Sequence, residues 1–225
     1  MRNVYFFPLT IVFILGFLFL LLSLFLFVQI GLISYAYERI GVSARAIFPL
    51  LLLSLLGSAI NIPISKVPGG PVSSRQVIDF FGMRHVIPVL DYQEYTIIAV
   101  NVGGAVVPTL LSVYLLFTTG LMLSALIGIA IVAAVAYGLA RPIPGLGISL
   151  PAFIPPVIAA GVGLLLAPEH APALAYMSGT LGCLIGADLL NLHRIGAMGA
   201  PIASIGGAGT FDGIFLTGII AVLLT

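Results

Sequence analysis

The stretch VYFFPLTIVFILGFLFLLLSLFLFVQI, residues 4–30, decides the class of this chain. It is an unbroken apolar run, longer than the roughly 20 residues a helix needs to cross the hydrocarbon of a bilayer. Arg2 before it imitates the basic start of a signal peptide. The run, however, far exceeds the about 7–15 residues of a signal core and shows no small-residue cleavage pattern. It therefore reads as an uncleaved spanning helix. Outward from it the composition agrees: the chain is 61% hydrophobic and only 7% charged, with a mean hydropathy of +1.27. A soluble domain carries about 25% charged residues. A formal net charge of +1 offers no basic face to a nucleic acid, so none is expected as a partner. Cys183 is the single cysteine, which excludes an internal disulfide.

Apolar windows place about seven spans at 5–33, 45–61, 95–117, 120–140, 150–167, 172–192 and 206–225. The expectation is an all-α integral membrane protein, one polytopic domain over 1–225. With the N-terminus in the cytoplasm, Arg2, Lys66, Arg75, Arg84, Arg141 and Arg194 fall inside, while only Arg39 and Arg45 fall outside. That asymmetry obeys the positive-inside rule and sends the C-terminus out of the cell membrane. The polar stretch 62–94 opens on Pro68-Gly69-Gly70-Pro71, which is turn chemistry, and then alternates weakly in strand fashion. It reads as a short cytoplasmic hairpin-like loop. Asp79, His85, Asp91 and Glu94 belong to that loop as solvated residues. Neither a metal site nor a cofactor is expected.

Glycine and proline interrupt several spans, at Asn61-Ile62-Pro63, Asn101-Val102-Gly103-Gly104, Pro108, Pro142-Ile143-Pro144 and Pro151 to Pro156. Backbone freed by such breaks is tolerated in lipid only where protein or a watery cavity satisfies it. Two carboxylates stand out against this background, Asp188 in GTLGCLIGADLLNL (179–192) and Asp212 in GGAGTFDGIFLTGIIAVLLT (206–225). An intramembrane acid costs at least a few kcal/mol and is by default functional. On the expected topology Asp188 lies roughly 8 Å from the cytoplasmic end of its helix, and Asp212, if its span begins near Gly206, roughly 9 Å in from the same side. Asn61 and Asn101 fall at a similar depth, and Asn191 follows Asp188 on the same helical face. Gly103, Gly104 and Gly209 mark the close-packed or unwound backbone around this layer.

Three functions fit such a layer. Two neighbouring carboxylates in low dielectric share one proton, so one activates water while the other polarises a carbonyl. In order, helix number and depth, Asp188 and Asp212, with Asp212-Gly213-Ile214-Phe215, resemble the presenilin and signal-peptide-peptidase class of intramembrane aspartyl proteases. That resemblance implies hydrolysis of membrane peptides, and it is the leading expectation. Asp188 follows Gly186-Ala187 where that class has Tyr, and Gly209-Thr210-Phe211 replaces its Gly-x-Gly. The second function is a cation- or proton-coupled transporter or channel using the same Asp and Asn side chains, with a small cation as partner and a homo-oligomer as its form. The third is a structural membrane protein without catalysis. Across most of the chain, NIPIS (61–65), AVNVGGAVVP (99–108), ARPIPGLGI (140–148), GTLGCLIGADLLNL and GGAGTFDGIFLTGI resemble the archaeal and bacterial multi-pass family known as domain-of-unknown-function family sixteen-fourteen. This resemblance implies an integral membrane protein and no stated activity.

Overall fold

The computed structural model describes residues 8–69, 71–80, 83–92, 94–143, 147–195, 200–207 and 213–225. Helices dominate it. Four stretches are long and apolar enough to cross a membrane, Ile14–Arg39, Val102–Thr119, Met122–Leu139 and Pro168–Arg194. Three shorter apolar helices, Ala44–Gly57, Ile154–Leu166 and Gly213–Leu223, stand where further spans were expected.

Helix α1 (Pro8–Arg39) leads by way of Gly41, in left-handed conformation at φ +88°, into α2 (Ala44–Gly57). The chain then turns to strand. β1 (Asn61–Pro68), β2 (Pro71–Phe80), β3 (Met83–Tyr92) and β4 (Tyr95–Asn101) follow in succession. β1 pairs with β4 from Asn61↔Asn101 to Pro68↔Tyr95, and β2 with β3 from Pro71↔Tyr92 to Phe80↔Met83. Gly69 donates its N–H to the Glu94 carbonyl at 3.1 Å between the two ladders, so both belong to one long antiparallel ribbon. Among the described pairs the register shifts once, at a bulge between Pro63 and Ser65.

A single π-turn, Val102–Val106, joins β4 to α3 (Val107–Thr119). α4 (Met122–Leu139) follows, then a small pair β5 (Arg141–Ile143) and β6 (Gly147–Ser149), and α5 (Ile154–Leu166). A 3-10 turn at Pro168–His170 opens α6 (Ala171–Cys183). α6 runs on through a second π-turn, Leu184–Asp188, a 3-10 turn, Leu189–Asn191, and the short α7 (Leu192–Ile195). β7 (Ile202–Ile205) and α8 (Gly213–Leu223) complete the order.

The structure is thus mostly helical but not all-α. Tyr95–Asn101 read as the start of a span because it is apolar, yet it is a strand, and β7 joins it in parallel from Ile97↔Ile202 to Val100↔Ile205. A short apolar run rich in β-branched residues cannot be told from a buried helix by periodicity alone. Here Thr96, Ile97, Ile98 and Val100 favour the pleated form. β4 is the central strand of a three-stranded sheet ordered β1-β4-β7.

α6 is the axis of the helical body, packed on α3, α4, α5 and α8. Residues 173–180 are buried without interruption. Small residues make this approach possible: a Cβ added to Gly182 would lie 2.6 Å from Val132, and one added to Gly128 would lie 2.8 Å from Val162. This is the close packing by which membrane helices associate when lipid removes the hydrophobic drive between them. α1 differs. Its residues from 14 to 32 are exposed, whereas Ala36 and Tyr37 are buried.

Candidate functional site

The site is built where two parallel strands hand over to helices. Asn101 ends β4 and is wholly buried. Its Oδ1 accepts the Gly104 N–H at 2.7 Å, capping the π-turn that begins α3. Its Nδ2 donates to the Ser58 carbonyl at 2.7 Å and to Asn61 Oδ1 at 3.0 Å. Asn61 Oδ1 also accepts the Ser204 hydroxyl from β7. Asn61 and Asn101 face each other in the ribbon register. They therefore sit at strand ends, where Asn61 was expected to close span two and Asn101 to lie inside span three, and they tie the ribbon, the end of α2 and β7 together.

The glycines serve contact. A Cβ on Gly103 would run into the Ser54 carbonyl and the Ser58 amide of the α2 end, and one on Gly104 into the Gly206 carbonyl. Gly206, at φ +81°, would itself place a Cβ 2.6 Å from the Ala105 nitrogen. The backbone after β7 thus lies directly on the backbone after β4.

Asp188 joins the same point. It closes the second π-turn, is half-buried, and its Oδ2 accepts the Gly206 N–H at 2.8 Å. The turn has a geometric effect. In an uninterrupted α-helix Asp188 would lie about 120° round from Tyr176. A π-turn inserts one residue and sets the rest of the helix back by about 100°. By that count Asp188 comes onto the face of α6 that carries Tyr176, Thr180 and Cys183. Tyr176 and Thr180 are completely buried, and the Tyr176 hydroxyl meets the Thr180 side chain one turn along the same face. A Cβ on Gly218 of α8 would sit 3.0 Å from the Tyr176 ring, so the two helices touch at this file of hydroxyls. Cys183 Sγ continues it, donating to Thr217 Oγ1 of α8 at 3.7 Å.

Asn191 does not share the point. Its Nδ2 donates to the Gly186 and Ala187 carbonyls, each at 3.0 Å, so it serves the end of its own helix. Gly209 and Asp212 lie outside the described residues. The described part of α8 runs from Gly213, and Gly206 itself lies in the turn after β7. Among the described residues no group of three His, Cys, Asp or Glu could hold a metal ion.

Sequence reasoning passed over Ser58, Thr96, Ser204 and Gly206. Thr96 Oγ1 donates to the Ala200 carbonyl at 2.8 Å and is buried, pinning the start of β7 to β4. The signal for β7 was the recurrence of a short β-branched run ending in two glycines, IIAVNVGG at 97–104 and IASIGG at 202–207.

The helices, by length and composition, are consistent with a membrane protein, and the fold wraps them round a strand-and-glycine junction bearing one described carboxylate. The chain belongs to the family described as protein of unknown function (DUF1614), whose model matches residues 55–224. No curated protein and no solved structure matches the chain.

Proposed function

We propose that this is a multi-pass protein of the cell membrane, with its N-terminus in the cytoplasm, that carries a proton or small cation, and that Asp188 is the group that binds it. The observation that carries this reading is the π-turn Leu184–Asp188, which aligns the carboxylate with the buried hydroxyls of α6 while Gly206 holds one of its oxygens. π-turns inside helices concentrate at functional sites. Discontinuous helices meeting near polar side chains are how secondary carriers build ion sites, and here the interrupted elements are the start of α3 and the end of α6. Asn61, Asn101 and Ser204 hold the junction. Asp188 gains or loses charge, and Thr180 and Tyr176 are neutral groups able to pass a proton or solvate a cation.

The test is the melting temperature of the full chain in detergent across sodium, potassium and proton concentrations. The expected outcome is a shift of several degrees that Asp188→Asn abolishes. Melting of the native chain that is flat across the whole series overturns the proposal.

A second reading, the aspartyl dyad, is favoured by the same Asp188–Gly206 bond, because Gly206 opens the segment that leads to Asp212. The ionised acid would take a proton from water as its oxygen adds to a peptide carbonyl, and the neutral acid would give its proton to that carbonyl oxygen. Collapse of the intermediate would then break the C–N bond, with a proton passing to the leaving amine. On this reading Asp188→Asn and Asp212→Asn each abolish cleavage of a helical peptide. Cleavage surviving in either variant overturns it.

A further inference from the structure

At the other end of α3 from Asn101, a cavity of about 500 Å³ opens between the ends of α1, α3 and α5 and the start of α6. Charged and hydroxylic groups line it: Arg39, Glu169, His170, Tyr114, Thr118 and Thr119. The first turn of α6 also borders it at Ala171, Pro172 and Ala173, so the positive end of that helix faces the space. A second cavity of about 380 Å³ lies between α2 and α3, lined by aliphatic side chains such as Val42, Leu50, Leu53, Val107 and Leu110. Gly41 and Tyr114 border both. From Thr119 to Val107 the two together follow α3 for roughly 18 Å.

We propose that the two adjoining cavities are a binding site for one phospholipid with a phosphate and a primary amine in its headgroup, of the phosphatidylethanolamine kind. The polar cavity takes the headgroup and the aliphatic groove takes one acyl chain. Charge complementarity points to this occupant. Arg39 presents a planar guanidinium suited to two phosphate oxygens, and its one hydrogen bond, Nη1 to the Val222 carbonyl, is long at 3.4 Å. Glu169 supplies the opposite charge for the ammonium. A purely anionic headgroup would meet Glu169 as a like charge. A lipid without a headgroup would leave the polar cavity unmatched.

The experiment is the thermal melting of the full-length protein in detergent with added dioleoyl phosphatidylethanolamine, dioleoyl phosphatidylglycerol, dioleoylglycerol or phosphoethanolamine alone. The ethanolamine lipid is expected to raise the midpoint by about 5 °C and the other three by much less. Glu169→Gln, an exposed position, is expected to leave the lipid-free midpoint unchanged and remove the preference over phosphatidylglycerol. Leu110→Trp, which fills the groove from a side chain 63% exposed, is expected to remove the response altogether. Equal shifts from both phospholipids, an equal shift from phosphoethanolamine alone, or a full response in both variants would each overturn the proposal.

Discussion

Asn101 answers three backbone or side-chain groups at once, and two of them, the Ser58 carbonyl and the Gly104 N–H, belong to residues buried along with it. Asn101→Ala removes the helix cap and leaves the Ser58 carbonyl without its side-chain donor, so a loss of about 3 kcal/mol is expected in chemical unfolding. Gly104→Ala strikes the Gly206 carbonyl, a backbone atom that cannot rotate away, whereas a Cβ on Gly161 meets open space. The expected result is a large fall in folded yield for the first and an unchanged melting curve for Gly161→Ala. Polar side chains in apolar surroundings are conspicuous, which is why Asn61, Asn101 and Asp188 were legible in the sequence. Ser204 and Gly206 were not, because small residues are common in packed helices and their role comes only from meeting the other strand. Asn191 was legible as polar, but not as a side chain that bonds the Gly186 and Ala187 carbonyls of its own helix end.

Among the elements, proline, glycine and β-branched residues signalled a hairpin at 62–94, and the ribbon is there, though it begins earlier and ends later. The apolar half of β4 concealed it, because hydropathy records burial and not backbone form. The ladder β1–β4 is complete without β2 and β3. Replacing residues 70–93 with Asn-Gly, a two-residue hairpin turn, is therefore expected to leave the melting temperature of the helical body within about 3 °C of the native value. A collapse of folding would show that the distal ribbon supports the body.

Across the whole molecule the helices are buried unevenly. Phe27 on α1 is 75% exposed, while Tyr37, ten positions on, is 1% exposed. Phe27→Ala is expected to leave unfolding in detergent unchanged, and Tyr37→Ala to cost about 3 kcal/mol or more through the cavity it opens in the main core cluster. Equal effects would mean that α1 packs along its whole length. The apolar character of the chain and the approximate places of its helices were legible from composition. The three-stranded sheet was not, because its parallel pair joins residues 97–100 to residues 202–205, and the two glycine-ended runs mark strands without showing that they pair. That distance imposes an order on biosynthesis. At about 5–20 residues per second, β4 leaves the ribosome roughly 5–20 s before β7 exists to pair with it. For that interval one rim of β4 has no neighbour, and an unpaired rim is the surface on which chains join wrongly. A transcript cut short before β7 would make a chain that can never close it.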